Sequence, residues 1–239
     1  MNGMNPSLNL EVPIVSDILG FPIERGKLFV GLFEPSAQWF ALILTITAEL
    51  LRENHTVGVA TLSVPPSQIR RKLADAFPDL TKDAEGHLTI IDWYTWMTGV
   101  KSTERRSVDS LKLAEFNVQD SKFQRDDSGI YDFLAADNLS TFLKYNDEHS
   151  FMQWLDKTVA RMRELKGVRL YGFMKRFHSD AFYANIEAMA DGVIELDNRE
   201  KEGVLENVIR IKTIKARQHP TRWRTLRMND AGLLQIQPQ

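Results

Sequence analysis

The sequence predicts an α/β protein built on a mostly parallel central sheet, with an antiparallel extension at its C-terminal end. Apolar strand-like runs alternate with helical patterns along the chain, the order expected when helices cover both faces of a parallel sheet. The last three strand-like runs are instead joined by short turn-like segments, which suggests antiparallel pairing. With 239 residues and 43% hydrophobic content, the chain can bury one substantial core, and this fits a single large domain better than two small ones.

The elements follow in order. Residues 1–12 lack a basic region followed by an apolar stretch, so they do not read as a secretory signal and are expected to be a short disordered tail. This leaves residues 13–239 as the single domain. Strand 27–33 leads into helix 36–53, whose apolar run is broken by Thr and Glu49. That run falls well short of the roughly 20 residues needed to span a bilayer, so it is expected to be a core helix, with no membrane role. Strand 56–62, helix 66–77 and strand 87–94 come next, then strand 130–136. In helix 148–166, Phe151, Leu155, Val159, Met162 and Leu165 form one apolar stripe that should lie flat on the sheet. Strand 168–174 precedes helix 180–190, for which Ser179 or Asp180 is the expected N-cap. Strands near 192–197, 204–214 and 222–228 close the chain. Segment 97–129 is polar and weakly periodic, with Arg105-Arg106 and Arg125-Asp126-Asp127, and is expected to be a mobile loop or a partner-facing insertion.

Composition narrows function. A net charge of -2 gives no global attraction to nucleic acid or an anionic membrane, so such a role would need a local patch. There is no cysteine, which excludes disulfides, thiolate metal sites and cysteine nucleophiles and fits a reducing cytosol. The five histidines, His55, His87, His149, His178 and His219, show no metal-site spacing. His178-Ser179-Asp180 holds the residue types of a hydrolase triad, but chain neighbours rarely point at one another and no nucleophile elbow is present. Trp93, Tyr94 and Trp96 follow the third strand, either lining a crevice at a strand's carboxyl end or packing in the core.

The most telling stretch is Gly31-Leu-Phe-Glu-Pro-Ser-Ala-Gln-Trp-Phe-Ala41. It sits between an apolar strand and an apolar helix, where a nucleotide-binding fold holds phosphates. Such a loop needs glycines whose backbone N-H groups wrap the anion, a lysine, and a hydroxyl for magnesium. None of that chemistry is here. The surroundings, residues 17–30, Glu34-Pro35, and Ala48-Glu49 with Leu51-Arg52, resemble the opening of KaiC-like and RadA-like ATPases of the RecA superfamily, of archaeal type. Further on, Ala190-Asp-Gly-Val-Ile-Glu-Leu196, Ile214-Lys-Ala-Arg-Gln-His219 and Asp230-Ala-Gly-Leu233 resemble the same family, so the likeness spans residues 14–236.

The resemblance implies a RecA-like three-layer sandwich, and it assigns Phe33, Ser36 and Gln38 to the glycine positions, Trp39 to the lysine and Phe40 to the magnesium hydroxyl. It also implies that Asp137, after the apolar run 130–136, corresponds to the Walker B aspartate; a structural turn or helix-capping role is the alternative. The family's catalytic carboxylates should fall near residues 61–66, which contain no acid. With cradle, lysine, hydroxyl and base all missing, nothing is left to stabilise phosphoryl transfer. A non-enzymatic chain without a cofactor is therefore expected.

One basic run stands out: Arg210, Lys212, Lys215, Arg217, Arg222, Arg224 and Arg227, with Trp223 among them and no acid between Ile209 and Met228. It is a solvated hairpin face, an anion-binding patch for nucleic acid, or, as the resemblance implies, a source of Lys215 and Arg217 for the nucleotide site of an adjacent subunit. The expected function is a cytoplasmic pseudo-ATPase acting through protein partners, as a homo-oligomer or with a related ATPase. A nucleic-acid-binding accessory protein and a nucleotide sensor without hydrolysis are the alternatives.

Overall fold

The computed structural model describes residues 9–76, 86–126, 131–215 and 217–237, with only the backbone of 121–126. Residues 1–8 of the expected tail, Phe77, 127–130 and Ala216 lie outside the described residues. Among the described residues, twelve strands and six α-helices follow one another as β1 (Asn9–Leu10), α1 (Pro13–Leu19), β2 (Ile23–Glu24), β3 (Leu28–Phe33), α2 (Trp39–Arg52), β4 (Val57–Thr61), α3 (Pro66–Ala76), β5 (Leu88–Asp92), β6 (Arg106–Ser107), α4 (Leu113–Asp126), β7 (Phe133–Ala136), α5 (Glu148–Leu165), β8 (Val168–Met174), α6 (Asp180–Met189), β9 (Gly192–Lys201), β10 (Val204–Ile214), β11 (Arg224–Met228) and β12 (Leu234–Ile236). Among the described residues, ten strands form one sheet in the order β12-β11-β10-β9-β3-β8-β7-β4-β5-β6. Pairing is parallel from β9 through β6 and antiparallel from β9 through β12.

The two-residue period of a strand divides the core into two layers. From β3, Phe29 and Phe33 point to the face covered by α1, α2 and α3, while Leu28, Val30 and Leu32 point to the face covered by α4, α5 and α6. In β8, Leu170 takes the first face and Tyr171 and Phe173 the second. The stripe of α5 packs as expected, with Phe151, Leu155, Val159 and Met162 buried, and Asp147 caps its first turn through Ser150 N. Ser179 caps α6 by accepting from Phe182 N at 3.1 Å. The β9–β10 hairpin turns at Glu202 and Gly203, both with positive φ (53° and 78°), the backbone of a two-residue hairpin loop.

Three expectations change. Residues 9–12 are not tail: β1 pairs with β2, and Leu10 and Val12 are fully buried. Segment 97–129 is not a loose insertion in its described part, because it supplies β6 and α4 and places Val108, Leu111 and Phe116 in the core. Among the described side chains of α4, Leu113 and Phe116 are buried while Val118 stays exposed, which leaves little apolar period to read. Third, the helix expected from residue 36 begins at Trp39, since residues 34–38 form a turn closed by Ala37 N donating to Glu34 O at 2.8 Å.

Candidate functional site

The turn after β3 lies at the carboxyl ends of the parallel strands, where open α/β sheets form their ligand crevice. A phosphate held there would need the backbone N-H groups of the turn and of the first turn of α2. Most of those donors are already committed inward. Glu34 N donates to Leu196 O at 3.1 Å, Ala37 N to Glu34 O, and Trp39 N to Ala37 O at 2.8 Å. Gln38 N donates to Asn207 Oδ1 at 3.2 Å, and Ser36 Oγ accepts from Asn198 Nδ2 at 2.7 Å. The turn is tied to β9 and β10 and does not curl around a space.

Trp39 turns under the helix that it begins. Its indole stacks on Phe33, with ring centroids 5.2 Å apart and planes 2° from parallel, and only 3% of the residue is exposed. The ring occupies a slot made by two glycines, Gly31 of β3 and Gly172 of β8, which pair directly in register. A Cβ at either position would overlap the indole. From this slot Trp39 Nε1 donates to Asp137 O at 2.6 Å, so one side chain joins α2 to the ends of β3, β8 and β7. The sequence signal for the slot is an isolated glycine inside each of two apolar strands, a mark of close approach. Phe40 is half-buried beside the same core.

Asp137 ends β7 as expected, but both its oxygens face the backbone. Oδ1 accepts from Leu62 N at 2.8 Å and Oδ2 from Ser63 N at 2.9 Å, closing the turn after β4. The residue is 1% exposed. Burial raises its carboxyl to about 6 against the opposing pull of those N-H donors. In the 61–66 turn, Thr61 Oγ donates to Val64 O.

The triad-like string resolves differently from its order in sequence. His178 Nε2 lies 2.7 Å from Ser140 Oγ, while Ser179 Oγ donates to Glu148 at 2.6 Å. Ser140 is fully buried and also accepts from Met174 N at 3.0 Å, so the pair ties the β7 and β8 turns together and offers no accessible nucleophile. Trp93 packs edge-on against Phe116 and Phe142 in the core, and Trp96 against Tyr145.

The basic run is split between the two ends of the sheet. Lys215 follows the end of β10, opposite the amino end of β9, and donates to Ala188 O; Arg217 lies 3.6 Å over the Phe21 ring. Both residues are exposed, at the end of the sheet away from the turn before α2. Arg222 is exposed and Arg224 half-buried, opposite Ile209 and toward the carboxyl end. Trp223 lies 4.3 Å from Arg199 and 4.5 Å from Arg210, and Arg210 is paired with Glu195 at 2.5 Å. Lys212 pairs with Glu187 at 2.8 Å.

Among the described residues, no helix is long and apolar enough to cross a membrane. No family model matches the chain, and no curated protein matches it. Among solved structures, the chain is similar to a KaiC-like protein from the hyperthermophilic archaeon Pyrococcus horikoshii OT3, with a TM-score of 0.72 and 16% identity over 97% of this chain and 98% of that one. The fold is therefore a KaiC-like RecA fold.

Proposed function

We propose that this chain is a KaiC-like pseudo-ATPase of archaeal type, which works in the cytoplasm through protein contacts and not through turnover. The observation that carries the proposal is the Trp39 indole in the Gly31–Gly172 slot, bonded to Asp137 O where a working site would present a lysine. Two features support it. The N-H groups of Glu34, Ala37, Gln38 and Trp39 are spent on protein acceptors, so the turn has few left for phosphate oxygens. Both oxygens of Asp137 are held by Leu62 and Ser63 N-H groups, which removes them from any magnesium shell.

Lys215 and Arg217 lie at the opposite end of the sheet from the turn before α2, so they cannot reach this chain's own turn. In a head-to-tail assembly they would meet a neighbour, and we infer that they serve an active relative's nucleotide in trans. An arginine supplied this way contributes about 10³-fold or more to phosphoryl transfer. The nucleic-acid alternative is weaker, because Arg210 and Lys212 are occupied by Glu195 and Glu187.

Titration calorimetry with Mg-ATP and a phosphate-release assay test the first part: neither heat of binding at micromolar ATP nor release above background is expected. For the second, the ATPase rate of a co-purified partner should fall when Arg217→Ala replaces the wild-type chain. A rate that stays unchanged removes the trans role and leaves the first part standing.

A further inference from the structure

Among the described residues eight large apolar side chains are exposed, and all but Val118 lie at the carboxyl end of the parallel strands. Single exposed apolar residues are ordinary, whereas their gathering on one face marks a contact surface. They form two groups. The first is the tip of the β9–β10 hairpin. β3 pairs with β9 only as far as Leu196 and β11 with β10 only from Asn207, so the rungs Glu200–Leu205 and Lys201–Val204 stand as a two-stranded ribbon. The ribbon runs five residues past Leu196, roughly 16 Å, and Val204 and Leu205 at its tip are each 63% exposed.

The second group is aromatic and follows β5, β7 and β8. Trp96 meets Tyr145 edge-on at 5.3 Å, Tyr145 Oη donates to Met97 Sδ at 4.0 Å, and Lys144 Nζ lies 5.9 Å over the Phe177 ring. Val100 is exposed two residues before Ser102, which is tied to Asp92 at the end of β5. Between the two groups lie the exposed Pro35 and Ser36 and the Arg176–Glu34 pair. None of these residues is a chain neighbour of an undescribed segment.

Charge divides in the same way. Among the described residues, Glu200, Glu202 and Glu206 of the ribbon have no cationic partner, and Lys101 and Lys144 beside the aromatic group have no carboxylate partner. Of the ribbon's cations, Arg199 lies on Trp223 and Lys201 stands opposite Val204. The acids that follow Lys144, Asp147 and Glu148, are held at the N-terminus of α5 by Ser150 N and by Ser179.

We propose that the carboxyl end of the sheet is a homodimer interface. A second copy, turned about a two-fold axis near Phe177, lays its ribbon on Met97, Val100 and Tyr145 and receives this chain's ribbon in return. A two-fold contact must be self-complementary, and this face is: apolar tip meets aromatic group and acids meet lysines, twice over. From β9 to β5 the face spans five strand spacings, roughly 24 Å, close to the width of the roughly 800 Å² patch that each partner of a standard interface supplies. The contact leaves Lys215 and Arg217 uncovered at the amino end and stands independently of the pseudo-ATPase reading.

Sedimentation velocity on the full chain tests it, and a closed dimer with no larger species is expected. Leu205→Arg and Phe177→Ala should each weaken it at least about tenfold with unchanged circular dichroism, while Val118→Arg, on α4, should leave it as it is. Lys101→Glu with Lys144→Glu should weaken it several-fold, and adding Glu200→Lys and Glu202→Lys should restore it. Because the chain has no cysteine, a mixture of Leu205→Cys and Tyr145→Cys chains should form a disulfide-linked pair in higher yield than either variant alone. A monomer at about 100 μM, rings or filaments in place of a dimer, or a dimer indifferent to both Leu205→Arg and Phe177→Ala overturns the proposal. So does cross-linking of Leu205→Cys to Lys215→Cys in place of Tyr145→Cys, which would mean a head-to-tail contact. None of these outcomes bears on whether Mg-ATP binds.

Discussion

The turn before α2 and a cavity of about 120 Å³ beneath α5, its lining including Arg106, Arg161 and Arg169, sit on opposite faces of one sheet, and they invert what their positions suggest. The turn lies at the carboxyl ends of the parallel strands, where open α/β sheets form their ligand crevice, yet an indole, a phenyl ring and inward-bonded backbone donors fill it. The cavity occupies a place where a core would be apolar, yet arginines line it. Topology fixes where a ligand crevice can form, whereas the side chains decide whether charge or packing occupies it.

The largest expected effect breaks the packed side. Trp39→Ala removes a buried ring from the Gly31–Gly172 slot together with its bond to Asp137 O, and should cost about 3–5 kcal/mol in a urea unfolding experiment. On the proposed pseudo-ATPase reading that variant should gain no ATP affinity by calorimetry, because the N-H groups of Glu34, Ala37 and Gln38 keep their protein acceptors. Next is Asp137→Ala, which strands the Leu62 and Ser63 N-H groups in a buried turn and should cost about 2–4 kcal/mol by the same assay.

The cationic side should respond with the opposite sign. Arg169→Met replaces a buried guanidinium that, among the described residues, is held by Tyr171 and two backbone carbonyls and by no carboxylate, and it should raise stability by about 1–2 kcal/mol. A loss of stability on that substitution would mean that the two carbonyl bonds outweigh the burial of charge, and the contrast between the faces would blur.

The smallest effect probes α2 itself. Burial raises Glu49 from 4.5 to about 7, while its Oε2 accepts from Ile14 N at 3.3 Å. Its folded pKa lies above its unfolded value, so the native state binds more protons between pH 4.5 and 7. Stability from this group is present below about pH 4.5 and is lost as pH rises through 7. Glu49→Gln should therefore stabilise by about 1 kcal/mol at pH 8, after allowance for solvent screening. The difference between variant and wild type should vanish near pH 4.5 in paired melting curves.

Much of the fold was legible because its signals are local. Strands 168–174 and 204–214 match β8 and β10, and the stripe of α5 needed only the spacing of five residues. The core role of Leu10 and Phe116 was not legible, since each sits between two polar neighbours and owes its burial to partners far along the chain. At the site, the letters of residues 33–40 show no glycine and no lysine. The use made of Trp39 was not, because its slot joins residues 31, 39, 137 and 172. The basic run was visible as a run, but strand direction sends Lys215 and Arg217 to one end and Arg222 and Arg224 toward the other.

Sequence alone determined the alternation of strands and helices, the antiparallel close of the sheet and the lack of glycine and lysine in residues 33–40, since periodicity and residue type act over a few neighbours. Only the tertiary structure decided that Trp39 fills the slot between Gly31 and Gly172, that Asp137 serves a backbone turn, and that Arg106, Arg161 and Arg169 line one cavity. Those outcomes depend on which distant residues the sheet order makes adjacent, and adjacency across crossovers leaves no period in the chain.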